Sequence, residues 1–93
     1  MKLEWLPAAL EDRDVVYEYV RGENRTAALK IDMEVERQAD RLVDFPYSGR
    51  PGRAHGTREL VITGTPCIAV YQVHEDAVLV LRVIHSAQDW PFD

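Results

Sequence analysis

Apolar and polar residues change rhythm near the middle of this chain. Lys2-Leu3-Glu4-Trp5 alternates polar and apolar, the two-residue period of a half-buried strand. Pro7 suits the first turn of a helix, where a missing N–H loses no partner. Leu6, Leu10, Val16, Tyr17 and Val20 then recur at roughly helical spacing. Glu11, Asp12 and Asp14 fall near the positive end of that helix's dipole, and Gly22 offers a C-terminal stop. Asn24 or Thr26 caps a second helix, in which Ala28, Ile31, Val35 and Leu42 keep the apolar rhythm. Lys30, Asp32, Glu34, Glu36, Arg37 and Asp40 supply its wet faces. Only a few residues separate the helices, so the spacing predicts an antiparallel hairpin.

From Arg58 the period shortens. Arg58 to Thr63 reads as a strand and Gly64-Thr65-Pro66 as a turn. Cys67 to Val73 is a second strand, His74-Glu75-Asp76 the next turn, and Val78 to His85 a third strand. Connections this short require antiparallel neighbours. The predicted class is α+β: a short N-terminal strand, an antiparallel helical hairpin, then a three-stranded antiparallel segment. The hairpin should cover one face of a mostly antiparallel sheet. Residues 1–93 read as one domain, without repeats, low-complexity stretches or an internal linker.

Composition then narrows the function. A hydrophobic content of 46% is that of a globular chain. A net charge of -5 argues against binding nucleic acid over a broad face, which needs several clustered Lys or Arg. The acid is uneven: residues 1–48 carry 7 basic and 11 acidic side chains, and residues 49–93 carry 4 and 5. The segment from Phe45 to Arg58 holds three arginines and a histidine, with no acid between Asp44 and Glu59. Positive charge concentrated in an acidic chain predicts a contact surface built on Arg50, Arg53 and His55. The alternative is a solvated connection whose arginines pair with nearby carboxylates. Cys67 has no disulfide partner and sits in an apolar run, so it reads as a buried small hydrophobe.

No run of about 18 apolar residues exists, which argues against a membrane-spanning helix. The start, Met1-Lys2-Leu3-Glu4-Trp5, lacks the apolar core of a secretory signal, so the expected compartment is the cytoplasm. His74, Glu75 and Asp76 are adjacent turn residues that do not converge on one ion, so no metal is expected. No phosphate-binding glycine loop or nucleophile–base motif stands out, and no cofactor is implied. Trp5 and Trp90 read as core or interface aromatics.

Several residues in order carry a family resemblance. Phe45-Pro46-x-x-Gly49-Arg50 follows the second helix, Arg58-Glu59-Leu60 opens a strand, and Tyr71 lies in the next. Arg82-Val83-Ile84-His85 follows, then Asp89-Trp90. With the order strand, helix, helix, three strands, the chain resembles the RelE/ParE superfamily of type II toxin–antitoxin toxins, often labelled plasmid stabilisation proteins. The resemblance implies a RelE/ParE-like β-α-α-β-β-β fold over nearly the whole chain.

It also implies one of two activities. RelE-like members resemble ribonucleases that cut mRNA in the ribosomal decoding site, a reaction that needs a base, cations and an acid around the phosphate. On that reading the catalytic residues would be His85, Arg58 and Arg82, with Arg50 and Arg53 as further cations and Glu59 or His55 as a base. Structural roles compete: Arg58 and Arg82 as sheet salt bridges, and His85 as a hydrogen-bonded strand end. ParE-like members resemble inhibitors of DNA gyrase and need only a protein surface. The tail after His85 carries no cation, and the acidic chain fits the ParE-like group better. A growth-inhibiting toxin acting on DNA gyrase is therefore expected, with the ribosome-dependent mRNA endonuclease as alternative. A domain that serves only as an assembly partner is the third reading. The resemblance further implies a cognate antitoxin, whose segment would lie on the exposed side of the hairpin and the open sheet edge. Acidic helices would favour Lys or Arg in that segment.

Overall fold

The computed structural model describes residues 1–85 and 88–91. Its elements are β1 (Lys2–Trp5), α1 (Pro7–Arg21), α2 (Arg25–Asp40), a short 3-10 turn (Arg41–Val43), β2 (Arg50–Pro51), β3 (Arg58–Val61), β4 (Cys67–Val73) and β5 (Ala77–His85). The expected α+β order is borne out. The five strands form one sheet in the order β1-β5-β4-β3-β2. β3, β4 and β5 run antiparallel, as do β2 and β3, whereas β1 lies parallel to β5. Parallel neighbours require a long crossover, and here it is the whole of residues 6–76, both helices and three strands included.

Several local expectations need correction. The first turn of α1 contains no acid; Glu11, Asp12 and Asp14 lie beyond it. Gly22 follows α1 at φ -57, a right-handed conformation open to any residue, so it is not a left-handed stop. Asn24, not Thr26, caps α2, its side chain accepting from the Ala27 N–H at 3.0 Å. Leu42 lies in the 3-10 turn beyond α2, and is fully buried there. β3 stops at Val61 because the chain turns: Ile62 donates to Cys67 O, and Thr65 to Ile62 O. β2 was not anticipated, since a two-residue strand containing proline has no readable period.

The core lies between the helices and the sheet. Ala9, Val35, Cys67, Ala69, Val80 and Val83 are buried there, with Leu42, Tyr71 and Val78 in an adjoining cluster. Alanines at Ala9, Ala28 and Ala39 let the helices approach closely. Arg13 ties three elements: it reaches Asp32 at 3.0 Å and Glu36 at 2.9 Å on α2, and lies 4.6 Å from the Trp5 ring centroid. The other sheet face buries Ile68, Val70 and Ile84, against which Trp90 packs. No helix is long and apolar enough to cross a membrane among the described residues.

Candidate functional site

The arginine-bearing segment folds onto the β3 edge of the sheet. Its organising group is Glu59, whose side chain is fully buried in β3. Glu59 Oε1 accepts from Arg50 at 3.1 Å, and Oε2 accepts from the Arg53 backbone N–H at 2.8 Å and its guanidinium at 3.2 Å. Burial pushes this carboxyl up, but the donors from Arg53 and Arg50 outweigh it and hold the group below its ordinary value. Glu59 is therefore an enclosed anion. It has no open face from which to take a substrate proton.

The rest of the segment is pinned by Tyr71. Its hydroxyl donates to Pro46 O at 2.8 Å and accepts from the Gly49 N–H at 3.0 Å. A Cβ on Gly49 would meet the Tyr71 hydroxyl at 2.6 Å and Glu59 O at 2.7 Å, so only glycine fits. Arg58 donates to Tyr47 O at 3.1 Å and Gly49 O at 2.6 Å, and its guanidinium lies 5.4 Å from the Tyr47 ring centroid. It has no carboxylate partner among the described residues. The expected cross-sheet acid is absent, and two carbonyls and an aromatic face take its place. His55 is exposed in the turn before β3.

Arg82 and His85 lie elsewhere. Arg82 makes a bidentate pair with Asp12 of α1, at 2.8 and 2.9 Å, and the same carboxylate accepts the Val83 N–H at 2.9 Å. The pair sits at a bulge, where Tyr71 opposes Val80 and Val70 opposes Arg82, leaving Leu81 as the extra residue. His85 is exposed at the end of β5, its backbone bracketed by Gln88. Arg58 pairs with Tyr71 and His85 with Cys67, four residues apart along β4. At about 3.3 Å per residue and 4.8 Å per strand, their Cα atoms are roughly 16 Å apart. The sheet thus gathers Arg50, Arg53 and Glu59 in one place with Arg58 beside them, holds Arg82 on Asp12 of α1, and puts His85 apart from Arg58.

A second surface had no signal in the periodicity. Val15 and Tyr19 on α1 are 68% and 76% exposed. With Val16, Val20, Pro66 and Val83 they line an apolar groove of about 320 Å³ between α1 and the end of β5. Val15 and Tyr19 fall off the inward stripe of α1, and a moderately amphipathic helix hides such a flank among its polar residues. Among the described residues no three His, Cys, Asp or Glu side chains cluster as metal ligands. Burial raises the Cys67 thiol above its ordinary pKa, the state of an unreactive core cysteine.

A helical hairpin on a five-stranded mixed sheet, with a pinned arginine loop and an exposed apolar groove, is the build of the small α+β toxins. The chain belongs to the ParE toxin family of type II toxin–antitoxin systems (parDE), whose family model matches residues 3–90. It is 36% identical over 90 residues to the candidate toxin Y4kP of Sinorhizobium fredii, covering 97% of this chain and 93% of that protein. It is 30% identical over 84 residues to toxin RelE2 of Caulobacter vibrioides, covering 90% and 93% respectively. Among solved structures, the chromosomal ParDE system of P. aeruginosa matches with a TM-score of 0.84 at 27% identity, over 91% of this chain and 95% of that one. The conserved protein HP0894 of Helicobacter pylori shares the fold, with a TM-score of 0.60 at 18% identity over 95% and 97%.

Proposed function

We propose that this ParE-family toxin inhibits growth by binding DNA gyrase as a protein-contact inhibitor, and that a cognate antitoxin neutralises it. The engagement of its arginines carries this reading. Arg82 is paired with Asp12, and Arg50 and Arg53 share the single carboxylate of Glu59. A phosphoryl-transfer site needs cations aimed at the developing charge and an acid or base beside them. Here Arg50, Arg53 and Arg82 face carboxylates, Arg58 is held by two backbone carbonyls, and His85 is remote from Arg58. Purified toxin should block gyrase supercoiling and accumulate cleaved DNA. Unaltered gyrase activity at excess toxin sinks the proposal.

The RelE-like reading retains one specific support, the 30% identity to a protein named toxin RelE2. It predicts mRNA cuts in translated regions during growth arrest, lost on His85→Ala or Arg58→Ala. Intact transcripts in arrested cells dispose of it.

For the antitoxin, the α1–β5 groove offers the exposed flank of the hairpin beside the end of β5, past its last pairing with β1 at Val80. Its walls are mostly apolar, with Asp12, His85 and Gln88 among them, and Glu11, Asp14 and Glu18 lie along the outer side of α1. An amphipathic segment bearing Lys or Arg would match it. Val15→Asp with Tyr19→Asp should weaken the complex by roughly 30-fold or more if these are anchor contacts. An unchanged affinity moves the antitoxin elsewhere.

A further inference from the structure

The β3 edge has a third surface, separate from the antitoxin groove and from the gyrase reading. Along an antiparallel pair, backbone groups point alternately to one neighbour and away from it. Ile62 bonds to Cys67 of β4, so Val61 and Thr63 turn their N–H and C=O outward, as does Glu59. Glu59 faces Arg50 of β2. Thr63 is covered in an unusual way: the Gln38 side-chain amide accepts its N–H and donates to its C=O, both at 2.9 Å. One primary amide thus takes the place of a peptide group on a neighbouring strand. Ser48, which would continue β2 opposite Val61, instead donates its N–H to Phe45 O. Val61 has no backbone partner on that side among the described residues, and it is 49% exposed.

Two clefts meet at this gap. One, of about 220 Å³, includes Gln38, Arg41 and Phe45; the other, of about 270 Å³, includes Gly49, Arg50 and Glu59. They share Ser48, Leu60 and Val61, so they form one trough along the strand. Leu60 and Val61 lie in its middle with Ser48, and one cleft contributes Arg41 and the other Arg50. Glu59, its one acid, is buried and already neutralised by Arg50 and Arg53. Arg58 adds a further cation without a counter-ion beside the same loop. In a chain of net charge -5, this edge is locally positive.

We propose that the trough is a docking site for an extended, acidic protein segment. The segment adds to the sheet at Val61, displaces the Gln38 amide from Thr63, and sets its carboxylates against Arg41 and Arg50. Charge complementarity selects the acidic partner, and the open backbone selects an extended one. Displacement of Gln38 trades solvent-exposed hydrogen bonds for equivalent ones, so the edge stays covered until a partner arrives. The added strand is short, which fits a transient contact.

A fluorescent octapeptide alternating valine with glutamate, titrated against the whole chain by anisotropy, tests this. The acidic peptide should bind in a salt-sensitive manner, and the lysine counterpart should not. N-methylation of alternate amides should abolish binding, because it removes the donors that pair with the edge. Those arms leave the protein unchanged, so folding cannot confound them. Arg41→Glu, an exposed position, should weaken binding by roughly tenfold, and Gln38→Ala should tighten it. Amide exchange at Val61 should slow on binding. Equal binding of the two charge forms, indifference to N-methylation, or no binding at millimolar peptide overturns the proposal. None of these outcomes depends on what the toxin does to gyrase.

Discussion

Glu59 and Gly49 show how much one side chain, or the lack of one, decides in this protein. Glu59 is an anion enclosed by Arg50 and Arg53. Glu59→Gln keeps the shape and removes the charge; loss of charge-assisted hydrogen bonds should cost about 1.5–3 kcal/mol in urea denaturation at neutral pH. Because its folded pKa lies below the ordinary 4.5, its contribution is present above that value and lost as pH falls through the lowered one. The gap between wild type and Glu59→Gln should therefore narrow on acidification below the ordinary value. A gap constant with pH means that the carboxylate charge is not the stabilising element. Gly49→Ala drives a methyl group into the Tyr71 hydroxyl and a backbone oxygen, and overpacking of this kind costs about 1–3 kcal/mol. A thermal midpoint unchanged from wild type contradicts that contact. The sequence marks the cations of this segment clearly, because charge is a property of residue type. It does not mark Glu59 as their counter-ion, since pairing of Arg50 with Glu59 follows from strand register.

At the scale of elements, α1 and β5 are joined by Asp12, a residue whose sequence position suggested only a helix-dipole role. Its carboxylate accepts from Arg82 and from the N–H of the buried Val83 at the bulge. Asp12→Ala leaves that N–H without its acceptor, a loss of about 1–3 kcal/mol before the unpaired Arg82 is considered. Asp12→Asn keeps an acceptor and should recover part of it in the same denaturation series. Equal losses in the two variants rule out the Val83 bond as the source. The two helices and the three main strands were legible because their apolar periods differ and each is long enough to read. β2 was not, and neither was the parallel place of β1, because four alternating residues say nothing about which neighbour they will find. The bulge that re-aims Arg82 was equally invisible, since an extra residue in one strand is defined only against its partner.

At the scale of the molecule, the toxin divides its surface by charge. The helices carry most of the acid, and the β3 edge carries exposed cation. The apolar α1–β5 groove lies against the acidic side and the β3 trough on the cationic one, so the two proposed contacts call for oppositely charged partners. Raised salt should weaken both, because each uses exposed charge. The parallel pairing of β1 with β5 has a further consequence, in time and not in space. Lys2 pairs with Ala77, and Asp12 reaches Arg82 across 70 residues. β5 sits between β1 and β4, so the first strand made has no neighbour until the last one emerges from the ribosome. A chain ended before Ala77 should unfold without a cooperative transition, and a sharp melt for that fragment contradicts the dependence. During synthesis, the sheet is thus incomplete until its final strand arrives.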